Sequence, residues 1–207
     1  MATTISTKAL APIPSIIYGT AWKKEATQGL VAKALQTGFK AIDTACQPKH
    51  YNEPGVGKGI EQVLDEGWIK REDLWLQTKF TSIPGQDPNN IPYDENAELT
   101  QQVHQSISAS LRNLKTSYID ALILHSPMHT HEDTLKVWKV FEEYVNKGIV
   151  RYIGISNCYD LNVFERLYSE ATIKPSFIQN RFYHKSHFDV NLRAFCDKHD
   201  IKYQSFW

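Results

Sequence analysis

Four ionisable side chains in this sequence have types and spacing that suggest chemistry: Asp43, Tyr51, Lys79 and His125. Three of them end a short apolar run, since Asp43 follows FKAI, Lys79 follows DLWLQT and His125 follows YIDALIL. Tyr51 comes eight residues after Asp43. Turn chemistry readily explains Asn, Ser or Gly at the end of a strand. It explains a carboxylate, an ammonium and an imidazole at three consecutive strand ends less well.

These residue types suit proton transfer to a carbonyl group. A lysine ammonium beside an aspartate carboxylate stays charged and fixed in position. A phenol next to that ammonium has its anion stabilised, so the pKa of the phenol falls. Such a phenol can give a proton to a carbonyl oxygen and take it back, while a neighbouring histidine orients or polarises that oxygen. No side chain in the set can deliver a hydride, so redox chemistry here requires a cofactor.

Each of these residues also has an ordinary role. Asp43 can cap a turn, Lys79 can be a solvated surface lysine, and His125 can be a satisfied histidine at a strand end. The run HSPMHTH at 125–131 contains three histidines. Their spacing matches none of the familiar zinc signatures, so no metal site is predicted. The case for function therefore depends on whether the fold brings the four side chains to one place.

The chain alternates short apolar runs with stretches of helical periodicity. Strands are predicted at 14–20, 39–42, 73–80, 118–125, 149–156, 175–180 and 201–207, and helices at 25–37, 54–66, 95–114, 132–147, 160–170 and about 189–199. Strict alternation predicts a parallel sheet built from right-handed βαβ units. Two architectures compete, a doubly wound open sheet and a (β/α)8 barrel of typically about 250 residues. In a barrel, the carboxyl ends of the strands would bring the polar residues to one mouth.

Composition narrows the class of protein. The chain has 207 residues, no net charge and 42% hydrophobic residues, which predicts one domain spanning 1–207 and no partner among nucleic acids or anionic membranes. No apolar run approaches the roughly 20 residues of a membrane span. Residues 1–15 contain no apolar core of a signal peptide. The three cysteines, Cys46, Cys158 and Cys196, are odd in number and far apart, which predicts no disulfide framework and a cytoplasmic location.

An ordered set of short motifs covers essentially the whole chain. They are GTAW (19–22), DTA followed by YNEPGVG (43–57), LQTKF (76–80), LILHSP (122–127), GISN (154–157), QN (179–180) and YQSFW (203–207). Together they resemble the aldo-keto reductase family, and QPKHY, QNRFY and YQSFW resemble its fungal-type branch. The resemblance implies an α/β TIM barrel, here an incomplete (β/α)8 barrel that lacks the eighth βα unit. It also implies reduction of aldehydes and ketones to alcohols with NADPH, or with NADH as the alternative cofactor.

The resemblance implies a role for each site residue. Asp43, Tyr51, Lys79 and His125 fall on the catalytic tetrad, with Tyr51 as proton donor, Lys79 lowering its pKa, Asp43 holding Lys79 and His125 orienting the carbonyl. Cofactor contacts are implied for Gly19, Thr20, Ser156, Asn157, Gln179 and Phe206. Substrate contact is implied for Trp22, and the loops 81–93 and 125–131 are implied to line the substrate pocket. The implied partner is a small carbonyl compound, and the implied state is a monomer, as in many relatives.

Two departures from the family pattern leave alternatives open. The usual spacing between the aspartate and the tyrosine is five residues, and keeping NEPGVG in register puts His50 rather than Tyr51 at the donor position. Tyr51 is preferred, because an imidazole beside Lys79 would match the donor role less well. The chain also ends before the eighth strand of the family. The alternative function is therefore a non-catalytic cofactor-binding fragment or regulatory subunit, and a third is a Schiff-base lyase that uses Lys79.

Overall fold

A computed structural model describes residues 13–207. Residues 1–12 lie outside the described residues. They make up most of residues 1–15, in which the sequence predicts no signal peptide. The strands are β1 Tyr18–Gly19, β2 Ala41–Asp43, β3 Trp75–Phe80, β4 Ile119–Leu124, β5 Val150–Ser156, β6 Phe177–Arg181 and β7 Lys202–Phe206. The α-helices are α1 Thr27–Gln36, α2 Glu53–Asp65, α3 Leu99–Asn113, α4 His131–Asn146, α5 Leu161–Glu170 and α6 Val190–Lys198.

The seven strands form one parallel sheet in the order β1-β2-β3-β4-β5-β6-β7. A doubly wound sheet reverses its order at a switch point, so the sequential order excludes that alternative. The sheet also curls, because side chains from distant strands meet across its concave face. Gln77 on β3 donates to Gln204 on β7 at 3.1 Å, and Gln179 on β6 donates to Asp43 on β2 at 3.2 Å. The prediction of an incomplete (β/α)8 barrel is confirmed.

The convex face of the sheet carries the main hydrophobic core. Every residue of β3 and of β4 is buried, as expected for parallel strands that are covered on both faces. Side chains from the outward face of β4 and β5, such as Leu122 and Ile153, pack with Ile107, Trp138 and Phe141 from α3 and α4. A second cluster joins the outward face of β2 and β3 to α1 and α2.

The concave face changes from apolar to polar along the strands. Near the amino ends it holds an apolar cluster of Ala41, Trp75, Ala121, Ile123 and Phe177. Two residues further along β2, β3 and β6, the same face presents Asp43, Gln77 and Gln179, and another two residues along β3 it presents Lys79. Because side chains alternate between the faces of a strand, this gradient concentrates the polar groups at the carboxyl ends.

The sequence-predicted elements are all present, and most of their bounds differ from the predicted ones by one or two residues, with larger differences at β1 and α3. Strand β1 is only Tyr18–Gly19, because just these two residues pair with β2. Helix α3 begins at Leu99 rather than 95, because residues 94–96 form a turn in which Asn96 N donates to Asp94 Oδ1 at 3.0 Å. The long 81–93 loop is tied down by hydrogen bonds, including one of 2.7 Å from Tyr93 Oη to the Thr81 carbonyl.

The cysteines form no disulfide in the structure. All three cysteines are free and buried, which confirms that they form no disulfide framework. Burial raises the pKa of Cys46, of Cys158 and of Cys196 to about 12, so these thiols are protonated at neutral pH. No helix in residues 13–207 is long and apolar enough to cross a membrane.

Candidate active site

Lys79 and Asp43 form a buried ion pair at the carboxyl end of the sheet. Lys79 Nζ donates to both carboxylate oxygens of Asp43 at 2.7 Å and to the Thr44 carbonyl at 2.7 Å. Only 2% of the Lys79 side chain is exposed. Burial alone would lower the pKa of Lys79, but Asp43 and Tyr51 outweigh it and raise the pKa above its ordinary value. The ammonium is therefore charged and has all three of its protons engaged.

Tyr51 lies next to this ammonium. Lys79 Nζ is 5.2 Å from the centre of the Tyr51 ring, and the Tyr51 and His125 rings are 6.1 Å apart. The backbone of Tyr51 is fixed on both sides, because its N–H donates to the Gln47 carbonyl at 3.0 Å and Asn52 caps the start of α2. The four predicted side chains thus come together at one end of the sheet.

The pKa of Tyr51 differs from the expectation drawn from the sequence. Burial raises the pKa of the phenol more than Lys79 lowers it, so the pKa lies above its ordinary value. The lysine does act in the expected direction, but it does not dominate while the phenol is shielded from water. At neutral pH the phenol therefore carries its proton.

His50 points to a different environment from Tyr51. Its ring stacks on Trp22 with centroids 4.0 Å apart, and its Nδ1 is 3.1 Å from Gln47 Oε1. The extra residues between Asp43 and α2 make a turn in which the N–H groups of both His50 and Tyr51 donate to the Gln47 carbonyl. This turn brings Tyr51, and not His50, beside Lys79.

His125 is held by a residue that sequence reasoning did not single out. Thr81 Oγ1 is 2.6 Å from His125 Nδ1. Burial, followed by the charges of Lys79 and His50, lowers the pKa of His125 to about 3, so the imidazole is neutral. Among the described residues, Nδ1 is the one hydrogen-bond partner of the Thr81 hydroxyl. We assign the hydroxyl as the donor to Nδ1, which places the proton of the neutral ring on Nε2.

Gln77 and Trp75 support Asp43 from below, and the sequence analysis missed both. Trp75 Nε1 donates to Gln77 Oε1 at 3.0 Å, and Gln77 Nε2 donates to Asp43 Oδ1 at 2.6 Å. An indole N–H can only donate, so the amide of Gln77 has its nitrogen turned towards the carboxylate. The sequence did contain a signal for Gln77, because a residue two positions before Lys79 in a buried strand must lie on the same face of the sheet as Lys79.

The residues predicted to contact a cofactor lie at the ends of β5 and β6. Ser156 Oγ donates to the Gln179 carbonyl at 2.6 Å, and Asn157 Nδ2 donates to the His125 carbonyl at 2.8 Å and to Ser156 Oγ at 3.2 Å. Asn157 has a left-handed backbone with φ of 51°, which asparagine tolerates better than most residues. These three residues therefore border the candidate tetrad on its β5–β6 side.

The predicted residues of strands β1 and β7 lie on either side of the opening in the sheet. Thr20 Oγ1 donates to the Asp43 carbonyl at 2.8 Å and is buried, so its hydroxyl anchors the Asp43 backbone. A cavity of about 360 Å³ runs between β1 and β7, and its walls include Gly19, Asp43, Gln179 and Phe206. Among the described strands, β1 and β7 are each paired on one side only.

A second cavity opens above Tyr51 and His125. Its volume is about 450 Å³, and its lining includes Trp22, Gln47, His50, Tyr51, Pro84 and His125. The loops 81–93 and 125–131 both contribute to it, as the sequence analysis predicts for the substrate pocket. Trp22 forms the rim, with 63% of its surface exposed and a backbone φ of 63°. Non-glycine residues with such backbones are uncommon and cluster at functional sites.

Two of the three histidines in the 125–131 run, His125 and His131, have separate environments. His125 contacts Thr81, whereas His131 Nε2 lies 3.2 Å from Glu170 Oε1 at the far end of α5. Over residues 13–207, no group of three or more His, Cys, Asp or Glu side chains is arranged to hold a metal ion.

The family model for the aldo/keto reductase family matches residues 15–205 of this chain. An uncharacterised oxidoreductase of Schizosaccharomyces pombe is 30% identical over 171 residues, covering 83% of this chain and 52% of its own. An NAD(P)H-dependent D-xylose reductase of Candida tenuis is 30% identical over 193 residues, covering 81% of this chain and 55% of its own. The chain thus spans about half the length of the curated relatives it matches.

Solved structures of aldo-keto reductases share the fold. One from Brucella melitensis is 28% identical with a TM-score of 0.76, covering 94% of this chain and 68% of its own. One from Bombyx mori, in complex with NADP, is 25% identical with a TM-score of 0.76, covering 94% of this chain and 62% of its own. The similarity therefore extends over nearly all of this chain, while each solved protein is considerably longer.

Proposed function

This chain belongs to the aldo-keto reductase family, and we propose that it is an oxidoreductase that reduces aldehydes or ketones to alcohols with NADPH, or with NADH. The observation that carries the proposal is the buried Lys79–Asp43 pair, with the Tyr51 ring 5.2 Å from Lys79 Nζ and the neutral His125 alongside. The arrangement supports transfer of a proton to a carbonyl oxygen. The names of xylose reductases similar to this chain support the nicotinamide cofactor.

Each of the four side chains has one task in this proposal. Tyr51 gives its phenolic proton to the carbonyl oxygen as that oxygen gains negative charge. Lys79 stabilises the resulting phenolate, and Asp43 keeps the ammonium charged and in place. His125, with its proton on Nε2, donates a hydrogen bond that orients the same oxygen. The raised pKa of Tyr51 is compatible with this role, because the phenol is loaded with its proton before substrate is reduced.

The chemistry of the donor set fits a nicotinamide cofactor, which supplies the hydride when bound. A primary carboxamide needs hydrogen-bond acceptors for its N–H groups and donors for its oxygen. The amide oxygens of Asn157 and Gln179 would accept from the carboxamide N–H groups, because the N–H groups of both side chains already donate within the protein. The Ser156 oxygen lies beside them. Phe206 would supply an aromatic face for the nicotinamide ring, and Gly19 and Thr20 would border it on β1. These assignments follow the family resemblance, and three of the residues, Gly19, Gln179 and Phe206, line the β1–β7 cavity.

A second candidate function is favoured by the open sheet. Strands β1 and β7 leave a gap, and unpaired strand edges are exposed to other chains. A cofactor-binding fragment or regulatory subunit without turnover is compatible with that gap. A Schiff-base lyase is disfavoured, because a nucleophilic lysine needs a lowered pKa, whereas the pKa of Lys79 is raised.

The test is a fluorescence titration of the purified 207-residue chain with NADPH, followed by absorbance measurement of NADPH oxidation with propanal. The proposal expects saturable binding and turnover that depends on the aldehyde. Binding without turnover would replace it with the cofactor-binding fragment. Absence of both from a folded chain would contradict the proposal outright.

A further inference from the structure

Glu53 is a buried carboxyl group that has no task in the proton transfer proposed above. It begins α2, two residues after Tyr51, and only 3% of its surface is exposed. Its side chain is held by neutral groups, with no ion pair to any residue that the structure describes. Burial raises the pKa of Glu53, and the hydrogen bonds that it accepts offset only part of that rise. A carboxyl group buried without a counter-charge is costly, so its hydrogen bonds must serve the structure around it.

Three donors from two elements hold the Glu53 carboxyl group. Thr78 Oγ1 on β3 donates to Oε1 at 2.6 Å. Ser110 Oγ on α3 donates to the same oxygen at 2.8 Å, and Asn113 Nδ2 on α3 donates to Oε2 at 3.0 Å. The carboxyl group therefore joins the start of α2 both to the sheet and to α3.

The attachment of α2 to α3 is reinforced by close packing. A β-carbon added at Gly57 on α2 would collide with the Asn113 carbonyl, so the two backbones are in direct contact there. The attachment to β3 has no such duplicate. Among the described residues, the bond from Thr78 to Glu53 is the only hydrogen bond between the first turn of α2 and β3. Val56 also packs against this part of the sheet, but apolar contacts are not directional, so the hydrogen bond sets the register.

Tyr51 and Glu53 contact two consecutive residues of β3. The Tyr51 ring lies 5.2 Å from Lys79 Nζ on the concave face, and Glu53 accepts from Thr78. Because side chains alternate across a strand, Thr78 lies on the opposite, convex face. Residues 51–53 therefore contact the end of β3 from both faces. A shift of α2 along β3 would move the phenol of Tyr51 relative to the ammonium of Lys79.

We infer that Glu53 is a positioning residue: its hydrogen bond with Thr78 sets the register of α2 on β3 and thereby holds the Tyr51 phenol beside Lys79. The inference rests on the proposed carbonyl reduction, to which it adds a residue that acts through Tyr51. Reaction rates are sensitive to such support, because a misplacement of about 1 Å can cost roughly 100-fold in rate.

Two hydroxyl groups donate to the same Glu53 oxygen, which provides a matched pair of variants. Thr78→Val and Ser110→Ala each remove one donor, leave the net charge unchanged and leave Glu53 with two partners. Both residues are buried, so both variants should unfold at a lower urea concentration than wild type. Only Thr78→Val breaks the bond to β3. A difference between the two variants at Tyr51 therefore reports positioning and not loss of stability.

The first test does not require turnover. In NMR spectra of the 207-residue chain, the nuclear Overhauser cross-peak between the Tyr51 ring protons and the Lys79 Hε protons weakens steeply as their separation grows. The inference expects this cross-peak to weaken in Thr78→Val and to keep its wild-type intensity in Ser110→Ala. An unchanged cross-peak in Thr78→Val, or equal weakening in both variants, would overturn it. The result holds whether or not the chain reduces carbonyl compounds, so failure of the inference is separable from failure of the proposed function.

The second test compares NADPH-dependent reduction of propanal in the same two variants. Thr78→Val is expected to lower kcat about tenfold, as the phenol is displaced from its productive position, with KM for propanal and NADPH affinity unchanged. Ser110→Ala should keep the wild-type kcat. Thr78→Ser restores the hydroxyl and should recover most of the rate. Equal losses of kcat in Thr78→Val and Ser110→Ala, or no recovery with serine, would contradict the inference.

Discussion

Lys79 Nζ lies 2.7 Å from both carboxylate oxygens of Asp43, although the two residues are 36 positions apart in the chain. The pairing joins the ends of β2 and β3 and holds a charged ammonium in a position with almost no access to water. Charged groups are kept in such surroundings only when they are paired. The pair therefore sets the electrostatics at Tyr51 and also contributes to the fold.

Asp43→Asn should strongly destabilise the chain. It leaves the buried ammonium of Lys79 without its counter-charge, and breaking a buried pair in this way costs roughly 3–5 kcal/mol of unfolding free energy. Denaturant unfolding measures the loss. The double variant Asp43→Asn/Lys79→Met removes the orphaned charge and should recover much of it. Wild-type stability in the single variant would mean that the pair is not structurally important.

Gln77→Glu tests the support beneath Asp43. The substitution keeps the shape of the side chain but replaces the donated hydrogen bond with a second carboxylate beside Asp43, whose repulsion raises the folded-state pKa of one of the two. When the pKa of a carboxyl is higher in the folded chain than in the unfolded chain, the free energy of unfolding falls as pH rises, because the unfolded chain ionises first. The loss of unfolding free energy relative to wild type should therefore be larger at pH 8 than at pH 5. Gln77→Leu lacks the added charge and should show no such pH dependence.

His125 should remain neutral throughout the physiological range. Its folded pKa is lowered to about 3, while an unfolded histidine titrates near 6.5. Between these values only the unfolded chain binds the proton, so this residue makes stability rise with pH in that window and has no effect above it. The ring resonances of His125 should stay constant from pH 5 to 8 in the folded chain and titrate in urea. A midpoint near 6.5 in the folded chain would contradict the assignment.

Thr81→Val should disturb the tautomer of His125 without removing any atom from the ring. Valine has nearly the shape of threonine but cannot donate to Nδ1, so the proton of His125 is no longer confined to Nε2. We expect kcat for propanal to fall by roughly tenfold, as a hydrogen bond to the carbonyl oxygen is weakened. Thr81→Ser restores the hydroxyl and should recover most of the rate. If serine is no better than valine, the hydroxyl does not position His125.

The order of the elements could be predicted because apolar runs and helical periodicity are properties of the sequence itself. The rule that parallel strands share their carboxyl edge predicted one end of the sheet as the common position of Asp43, Lys79 and His125. The choice between His50 and Tyr51 could not follow from spacing, because it depends on a turn around the Gln47 carbonyl. The direction of the Tyr51 pKa shift also needed the structure, since burial competes with Lys79.

The supporting residues were harder to predict than the tetrad. Thr81 lies in a loop, and its role depends on a single contact, to His125. Gln77 was accessible to a period-two argument along β3, but its amide orientation depends on the indole of Trp75. Such contacts join segments that are far apart in sequence and carry no local pattern.

The central claim is that Tyr51 gives the proton, and Tyr51→Phe tests it most directly. NADPH affinity is measured by fluorescence titration and propanal reduction by NADPH absorbance, with Tyr168→Phe on α5 as the matched control. The account predicts unchanged NADPH affinity and a loss of at least about 100-fold in kcat for Tyr51→Phe, the usual contribution of a general acid. Wild-type turnover in Tyr51→Phe, with activity lost instead in His50→Ala, would contradict it.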